Sequence, residues 1–148
     1  MKGKFVRIFA GAMVLTIGCQ TSAAPPARTT AALAGLKPLS EKDMGRTREM
    51  GCQSSFSHGR DTLVFMIGHD FMLRTNAGLS ICRISDAQFG TFGEGPATIA
   101  CGGRRLSLRR TGKIIAHEEA DSAEGPALLT VMQGRVKTAI KGDWGTAC

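Results

Sequence analysis

The side chains best suited to bind a ligand form a basic cluster in the second half of the chain. This cluster consists of Arg104, Arg105, Arg109, Arg110 and Lys113. A guanidinium group donates paired hydrogen bonds to phosphate or carboxylate, so a group of arginines on a sheet can hold an anion. Alternation along a strand sends these side chains to both faces. The competing interpretation is therefore a solvated sheet surface whose charges protect its edge.

Metal binding requires imidazole and carboxylate groups at defined spacings. The candidate ligands are His58, His69 and His117 with the acids Asp61, Asp70 and Glu119. His117 lacks the second histidine one helical turn later that a helical zinc site needs, and the acids Glu118, Glu119, Asp121 and Glu124 lack the alternation of a calcium loop. No lysine or helix start follows the glycine-rich stretch 89–96, as a phosphate-binding loop requires. We therefore expect solvated loops, with neither a metal nor a cofactor.

Nucleophilic catalysis requires an activated serine or cysteine. The chain contains no Gly-x-Ser-x-Gly elbow and no sequence typical of a cysteine protease. A pair of carboxylates for glycoside hydrolysis depends on a spatial separation that sequence does not show. We expect that the protein is not an enzyme, and a small hydrolase is the alternative.

Five cysteines bear on the redox chemistry of the chain. Four of them, Cys52, Cys82, Cys101 and Cys148, follow the N-terminal segment, and this even number favours two disulfides. Three pairings are open. A bond from Cys148 to an early cysteine such as Cys52 would close a long loop and stabilise the fold by roughly 2–4 kcal/mol.

The N-terminus has the three parts of a bacterial secretion signal. Lys2, Lys4 and Arg7 precede an apolar run over residues 8–17, and small residues follow. The apolar run is too short to cross a bilayer. The segment therefore predicts export rather than a membrane-spanning helix.

Two cleavage sites compete within this signal. Residues 15–19, with the sequence LTIGC, resemble the lipobox of bacterial lipoproteins, although Thr16 stands where leucine is preferred. The resemblance implies cleavage before Cys19 and lipidation of this cysteine. The alternative is a signal peptide over residues 1–23, cleaved after Ala23 or one residue later to release an unanchored protein.

Export predicts a periplasmic protein, either free or held by a lipid at the periplasmic face of the outer membrane. Loss of the three basic residues with the signal lowers the formal net charge from +7 to +4. This mild positive charge favours an anionic envelope polymer or another envelope protein as partner. The compartment argues against nucleic acid, and contact with a membrane is expected only through a lipid on Cys19.

Three segments follow one another along the chain. The signal peptide covers residues 1–23, a flexible tether with one short helix covers 24–49, and a single β domain covers 50–148. The tether is rich in small residues and proline. Ser40 followed by acidic residues indicates a helix start, with the helix extending to about residue 48.

Short apolar runs separated by turn residues predict a mainly β fold, a small antiparallel β-barrel or β-sandwich of about six to eight short strands. The predicted strands cover residues 62–67, 71–75, 79–84, 97–101, 104–108, 127–132 and 136–141, with a further strand near 113–116. The clearest hairpin turns at Gly102-Gly103, because glycine accepts the positive φ of a two-residue turn. This turn places Ile99 opposite Leu106 and points Arg105 and Arg109 outward.

These patterns predict an exported cell-envelope protein that is a non-enzymatic binding or inhibitor-type β module. Small exported β domains with two disulfides include periplasmic inhibitor proteins, but that comparison is an analogy of fold, which does not determine function. A small periplasmic hydrolase and a purely structural lipoprotein are the alternatives. A pocket with converging titratable groups would favour the hydrolase, whereas a flat or grooved surface would favour the binding module.

Overall fold

A single curled sheet makes up most of the part of the chain that the computed structural model describes, residues 34–148. The predicted signal peptide, Cys19 and residues 24–33 of the predicted tether lie outside the described residues. Within residues 34–148, ten antiparallel strands form a half-barrel accompanied by two short helices. The predicted mainly β class is confirmed.

The strands are β1 (Leu36–Lys37), β2 (Gln53–His58), β3 (Asp61–Ile67), β4 (Asp70–Thr75), β5 (Gly78–Arg83), β6 (Thr98–Cys101), β7 (Arg104–Arg110), β8 (Ile115–His117), β9 (Ser122–Gln133) and β10 (Val136–Ala147). The helices are α1 (Glu41–Met44) and α2 (Asp86–Thr91), and a 3-10 helix covers Glu118–Ala120. The strand order is β1-β4-β3-β2-β10-β9-β7-β6, with β5 beside β4 and β8 beside β9. The last strand therefore lies in the middle of the sheet, between β2 and β9.

The seven main predicted strands correspond to β3 to β7, β9 and β10, and β8 lies slightly later than the strand expected near 113–116. β9 and β10 each have 12 residues, far more than predicted. Their pairing continues through Gly125, which lies opposite Trp144, and through Pro126, which lies opposite Asp143. Glycine and proline interrupt the apolar alternation of β9 in the sequence, but β9 stays extended because it pairs with β10 along its whole length.

β2 and α2 have no counterpart among the predicted elements. β2 contains one large apolar residue, Phe56, and is defined by its ladders to β3 and β10. α2 begins with a capping box in which the Ser85 hydroxyl accepts from the Gln88 amide and the Gln88 side chain accepts from the Ser85 amide. The capping box of α2 can be recognised in the sequence, whereas β2 is a strand only because it pairs with β3 and β10.

The predicted register of the β6–β7 hairpin is confirmed. Ile99 lies opposite Leu106, and Gly102 and Gly103 have φ angles of 57° and 71°. Ile99 and Leu106 enter the main core on the inner side of the curved sheet, together with Trp144. The outer side of β7 is consequently left to its alternate residues, which are polar.

An aromatic row anchors the core. The ring of Phe92 lies edge-on to Phe71 at 5.3 Å and to Trp144 at 5.6 Å. All three side chains are buried. Because Phe92 follows α2 directly, this row attaches the connection between β5 and β6 to the inside of the half-barrel.

The predicted tether packs against the domain from Ala34 onward, so the folded unit extends well before residue 50. Leu36 and Leu39 are buried, and β1 pairs with the end of β4. α1 ends at Met44, earlier than the predicted stretch to residue 48, because the chain turns at Gly45. A short helix suffices here because tertiary contacts hold the segment.

An ion pair fastens this N-terminal segment to β4. The Arg74 Nε donates to Asp43 Oδ2 at 2.9 Å, and a second bond joins Arg74 Nη2 to Asp43 Oδ1. Hydrogen bonds from Arg74 and then from Ser40 hold the pKa of Asp43 well below its usual range. Asp43 is therefore charged whenever the segment is docked at neutral pH.

Two disulfides are present, as the even number of cysteines predicted. Cys52–Cys148 joins the residue before β2 to the residue after β10, and Cys82–Cys101 joins β5 to β6. β5 and β6 are the edge strands at the two ends of the curl, and no backbone ladder connects them in the described sheet. The second disulfide therefore bridges the seam of the half-barrel.

Candidate anion-binding face

Four basic side chains lie on the outer surface of β7 and β10, on either side of β9. In one row, Arg105 pairs with Met132 of β9, which pairs with Lys137. In a second row, Arg109 pairs with Leu128, which pairs with Lys141. We call the surface marked by Arg105, Arg109, Lys137 and Lys141 the cationic face.

The spacing of these cations follows from sheet geometry. Four residues along a strand cover about 13 Å, and two strand separations cover about 10 Å. The centre of this rectangle is a row of small side chains, Ser107, Thr130 and Ala139, which lie opposite one another across the three strands. The face is consequently low in the middle and basic at its corners.

The four cations are exposed, and none of them is ion-paired with a carboxylate in the described part of the chain. Asp143 lies two residues beyond Lys141 on the same side of β10, at one end of the face. Other arginines are already paired: Arg74 with Asp43, and Arg83 with Glu49 and Asp70. The cationic face thus keeps its hydrogen-bond donors for solvent or for a ligand.

The structure divides the predicted basic cluster. Arg104 is buried and donates to the carbonyl oxygens of Ala34, Gly35 and Gly102 and to the side chain of Gln133. It supports the fold and does not lie on the cationic face.

The other members of the cluster also separate. Arg110 turns inward, with two hydrogen bonds to Glu94 and one to the Trp144 carbonyl. Lys113 is exposed in the loop between β7 and β8. Arg105 and Arg109 alone remain on the face, where Lys137 and Lys141 of β10 join them.

The two lysines were visible in the sequence only as charges along a half-exposed strand. Alternation indicated which side of β10 they occupy, but it did not indicate that β9 places this side next to the arginine side of β7. Placing the lysines beside the arginines would have required predicting both the β9–β10 hairpin and the pairing of β7 with β9. That pairing joins residues far apart in sequence.

A groove of about 640 Å³ borders the cationic face. The loop over residues 93–96 forms one wall, and the strand residues Thr98, Ser107, Arg109 and Thr130 form the floor. Hydroxyl groups donate to phosphate or carboxylate as well as to water. The groove therefore adds neutral donors beside the Arg109 guanidinium.

The three histidines lie apart from one another. His58 Nδ1 is 2.6 Å from the Lys141 carbonyl oxygen, and His69 Nε2 is 3.5 Å from Asp86. His117 Nε2 is 3.5 Å from Glu124 in a second groove of about 420 Å³. Among residues 34–148, no three His, Cys, Asp or Glu side chains gather as metal ligands would.

No protein-family model matches the chain, and comparisons with curated proteins and with solved structures find no similar protein. No helix within residues 34–148 combines the length and apolar character needed to span a membrane.

Proposed function

We propose that this protein is an exported, non-enzymatic binding module of the cell envelope that holds an anionic envelope polymer on its cationic face. The observation that carries the proposal is the set of four exposed cations, none of them ion-paired within residues 34–148, around a row of small side chains. The signal-like N-terminus and the two disulfides support the exported location, since disulfides persist in oxidising compartments.

The face suits a repeating anion better than a single one. The strand positions that carry these cations are about 10–13 Å apart, so a flexible chain with regular anionic groups can contact several of them at once. An exposed ion pair contributes only about 0.3–1 kcal/mol, so useful affinity arises when several contacts form on one polymer. Arginines supply paired hydrogen bonds and the lysines supply adaptable point charges.

Binding of defined polyanions to the processed protein tests this proposal. The probes are a long-chain polyphosphate and a polyglutamate, with uncharged dextran as the negative control, measured by calorimetry at about 0.05 and about 0.5 M salt, where screening differs strongly. We expect both polyanions to bind at low salt and to dissociate at high salt. A preference for one of them identifies phosphate or carboxylate as the natural group.

Paired charge removals locate the site. Arg105→Ala/Arg109→Ala and Lys137→Ala/Lys141→Ala should each weaken binding about tenfold, from two contacts of about 0.7 kcal/mol each. Arg46→Ala/Arg48→Ala removes the same charge from the N-terminal segment and is the matched control, with an expected change below about twofold. Equal losses in all three variants would mean that net charge alone attracts the polymer, and the face would have no special role.

The alternatives have their own outcomes in the same experiment. Shortening of a polymer during incubation would favour the small hydrolase. Absence of binding to every polyanion, with all variants alike, would favour a purely structural lipoprotein.

A further inference from the structure

The turn between β9 and β10 exposes apolar side chains at the end of a long hairpin. Met132 is 39% exposed and Val136 is 64% exposed. β10 pairs with β2 only from Asp143 onward, so its first residues lack a second neighbouring strand. We call Met132, Arg135, Val136 and Lys137 the hairpin tip.

The tip combines these apolar side chains with basic ones. Arg105 and Lys137 lie beside Met132 on one face of the hairpin, whereas Val136 pairs with Gln133, faces the other side and follows Arg135 of the turn. None of the three cations is ion-paired with a carboxylate in the described residues. The hairpin end thus presents one apolar side chain on each face with cations nearby, an arrangement that suits end-on contact with anionic lipid headgroups.

The start of the described chain lies at the same end of the molecule. The guanidinium of Arg104 bonds to the carbonyl oxygens of Ala34 and Gly35 and also to the side chain of Gln133, which precedes the tip turn. The buried Arg104 thus holds the entry point of the N-terminal segment next to the hairpin tip. Any anchor in residues 1–33 attaches to the domain from this side.

We propose that the hairpin tip docks on an anionic lipid surface, with Met132 and Val136 among the headgroups and Arg105, Arg135 and Lys137 against lipid phosphates. The inference rests on the proposed envelope location, and the tip shares Arg105 and Lys137 with the cationic face while adding Met132, Arg135 and Val136. A lipid on Cys19 would lie at most about 50 Å of extended chain from Ala34. Anchoring would therefore raise the effective concentration of the tip at the bilayer.

This orientation leaves the distant row of the cationic face accessible. Arg109 and Lys141 lie about 13 Å along the strands from the tip row. A bilayer under the tip and a polymer across Arg109 and Lys141 can consequently be bound together.

Vesicle binding by the processed protein without residues 1–23, which contain the apolar signal run and Cys19, tests the tip without a lipid anchor. The probes are vesicles of phosphatidylcholine alone and vesicles in which about a third of the lipid is phosphatidylglycerol. We expect binding to the anionic vesicles only. Arg135→Ser/Lys137→Ser should reduce it about 25-fold, since each basic group near an anionic surface contributes about fivefold. Arg46→Ser/Arg48→Ser, which removes equal charge elsewhere, should leave it within about threefold.

A tryptophan reporter shows whether the tip itself enters the headgroups. Trp144 is buried and supplies a constant background. In Val136→Trp, anionic vesicles should shift the added emission to the blue and brominated lipid should quench it. Ile81→Trp, at an exposed apolar position on β5, should show neither effect.

Equal responses of the two reporters, or vesicle binding unchanged by the loss of Arg135 and Lys137, would overturn the inference. Val136→Ser would also overturn it if it converted a dimer into a monomer in sedimentation velocity, because the tip would then be covered by a second copy. Polyanion binding by Val136→Ser separates the two proposals. It should stay intact, so failure of the tip at the membrane would leave the cationic face untouched.

Discussion

The two disulfides close loops of very different length, and this difference predicts unequal contributions to stability. Cys52–Cys148 spans 96 residues and Cys82–Cys101 spans 19. Loop-closure entropy assigns about 4.7 kcal/mol to the first and about 3.3 kcal/mol to the second. Because the short loop lies inside the long one, each bond contributes about 0.2 kcal/mol less when the other is present, which leaves about 4.5 and about 3.1 kcal/mol.

The test compares Cys52→Ala/Cys148→Ala with Cys82→Ala/Cys101→Ala in urea. Alanine is preferred to serine because Cys101 is buried and a hydroxyl there would need a partner. We expect both variants to fold, and the first to lose about 1.4 kcal/mol more free energy of unfolding than the second. Intact mass confirms that the remaining pair is oxidised, and wild-type protein with both bonds reduced should lose the most.

The reverse order would refute this reasoning. Cys82–Cys101 bridges edge strands that have no ladder between them, so it can also act by holding the seam of the folded half-barrel closed. If its removal is the more damaging, native-state closure outweighs loop entropy. Hydrogen exchange would then show early opening of β5 and β6 in that variant.

Two further predictions follow from single contacts. Asp43→Asn removes the charge of Asp43 and should lower the free energy of unfolding at neutral pH. Because folding lowers the pKa of Asp43, its contribution to stability is complete above the pKa of the unfolded chain, about 3.9, and is lost as pH falls towards the pKa of the folded protein. Urea titrations from pH 7 to pH 2 should therefore show a weaker loss of stability in acid for the variant. Acid sensitivity in the variant as large as in the wild type would contradict this origin, since Glu49 and Asp70 with Arg83 account for only part of it. Gly142→Ala should destabilise by about 1–3 kcal/mol because its methyl group would lie 2.1 Å from the Ser57 carbonyl oxygen, whereas Gly145→Ala on the same strand meets no atom closer than 3.6 Å and should change thermal stability little. Similar melting temperatures for the two variants would show that the sheet yields at Gly142.

Local patterns determined much of the β architecture. Short apolar runs between turn residues located β3 to β7, the second half of β9 and the first half of β10, and the double glycine turn determined the β6–β7 register, because each of these features depends on neighbours in sequence. β2 escaped prediction because its single large apolar residue, Phe56, gives no alternation. The docking of the segment after Ala34 also escaped prediction, since residues 24–39 are rich in small residues and proline and resemble a linker, whereas Leu36 and Leu39 supply the buried contacts.

The candidate site shows the same division. The sequence by itself determined that Arg105 and Arg109 share one side of a strand, that Lys137 and Lys141 share one side of another, and that four cysteines remain after the N-terminal segment. Only the tertiary structure decided that β9 brings these two basic sides together, that Arg104 is buried among carbonyl oxygens, and which cysteines pair. Strand order and register between distant segments depend on how the whole sheet buries its apolar face, and a side-chain period along one strand carries no information about the strand beside it.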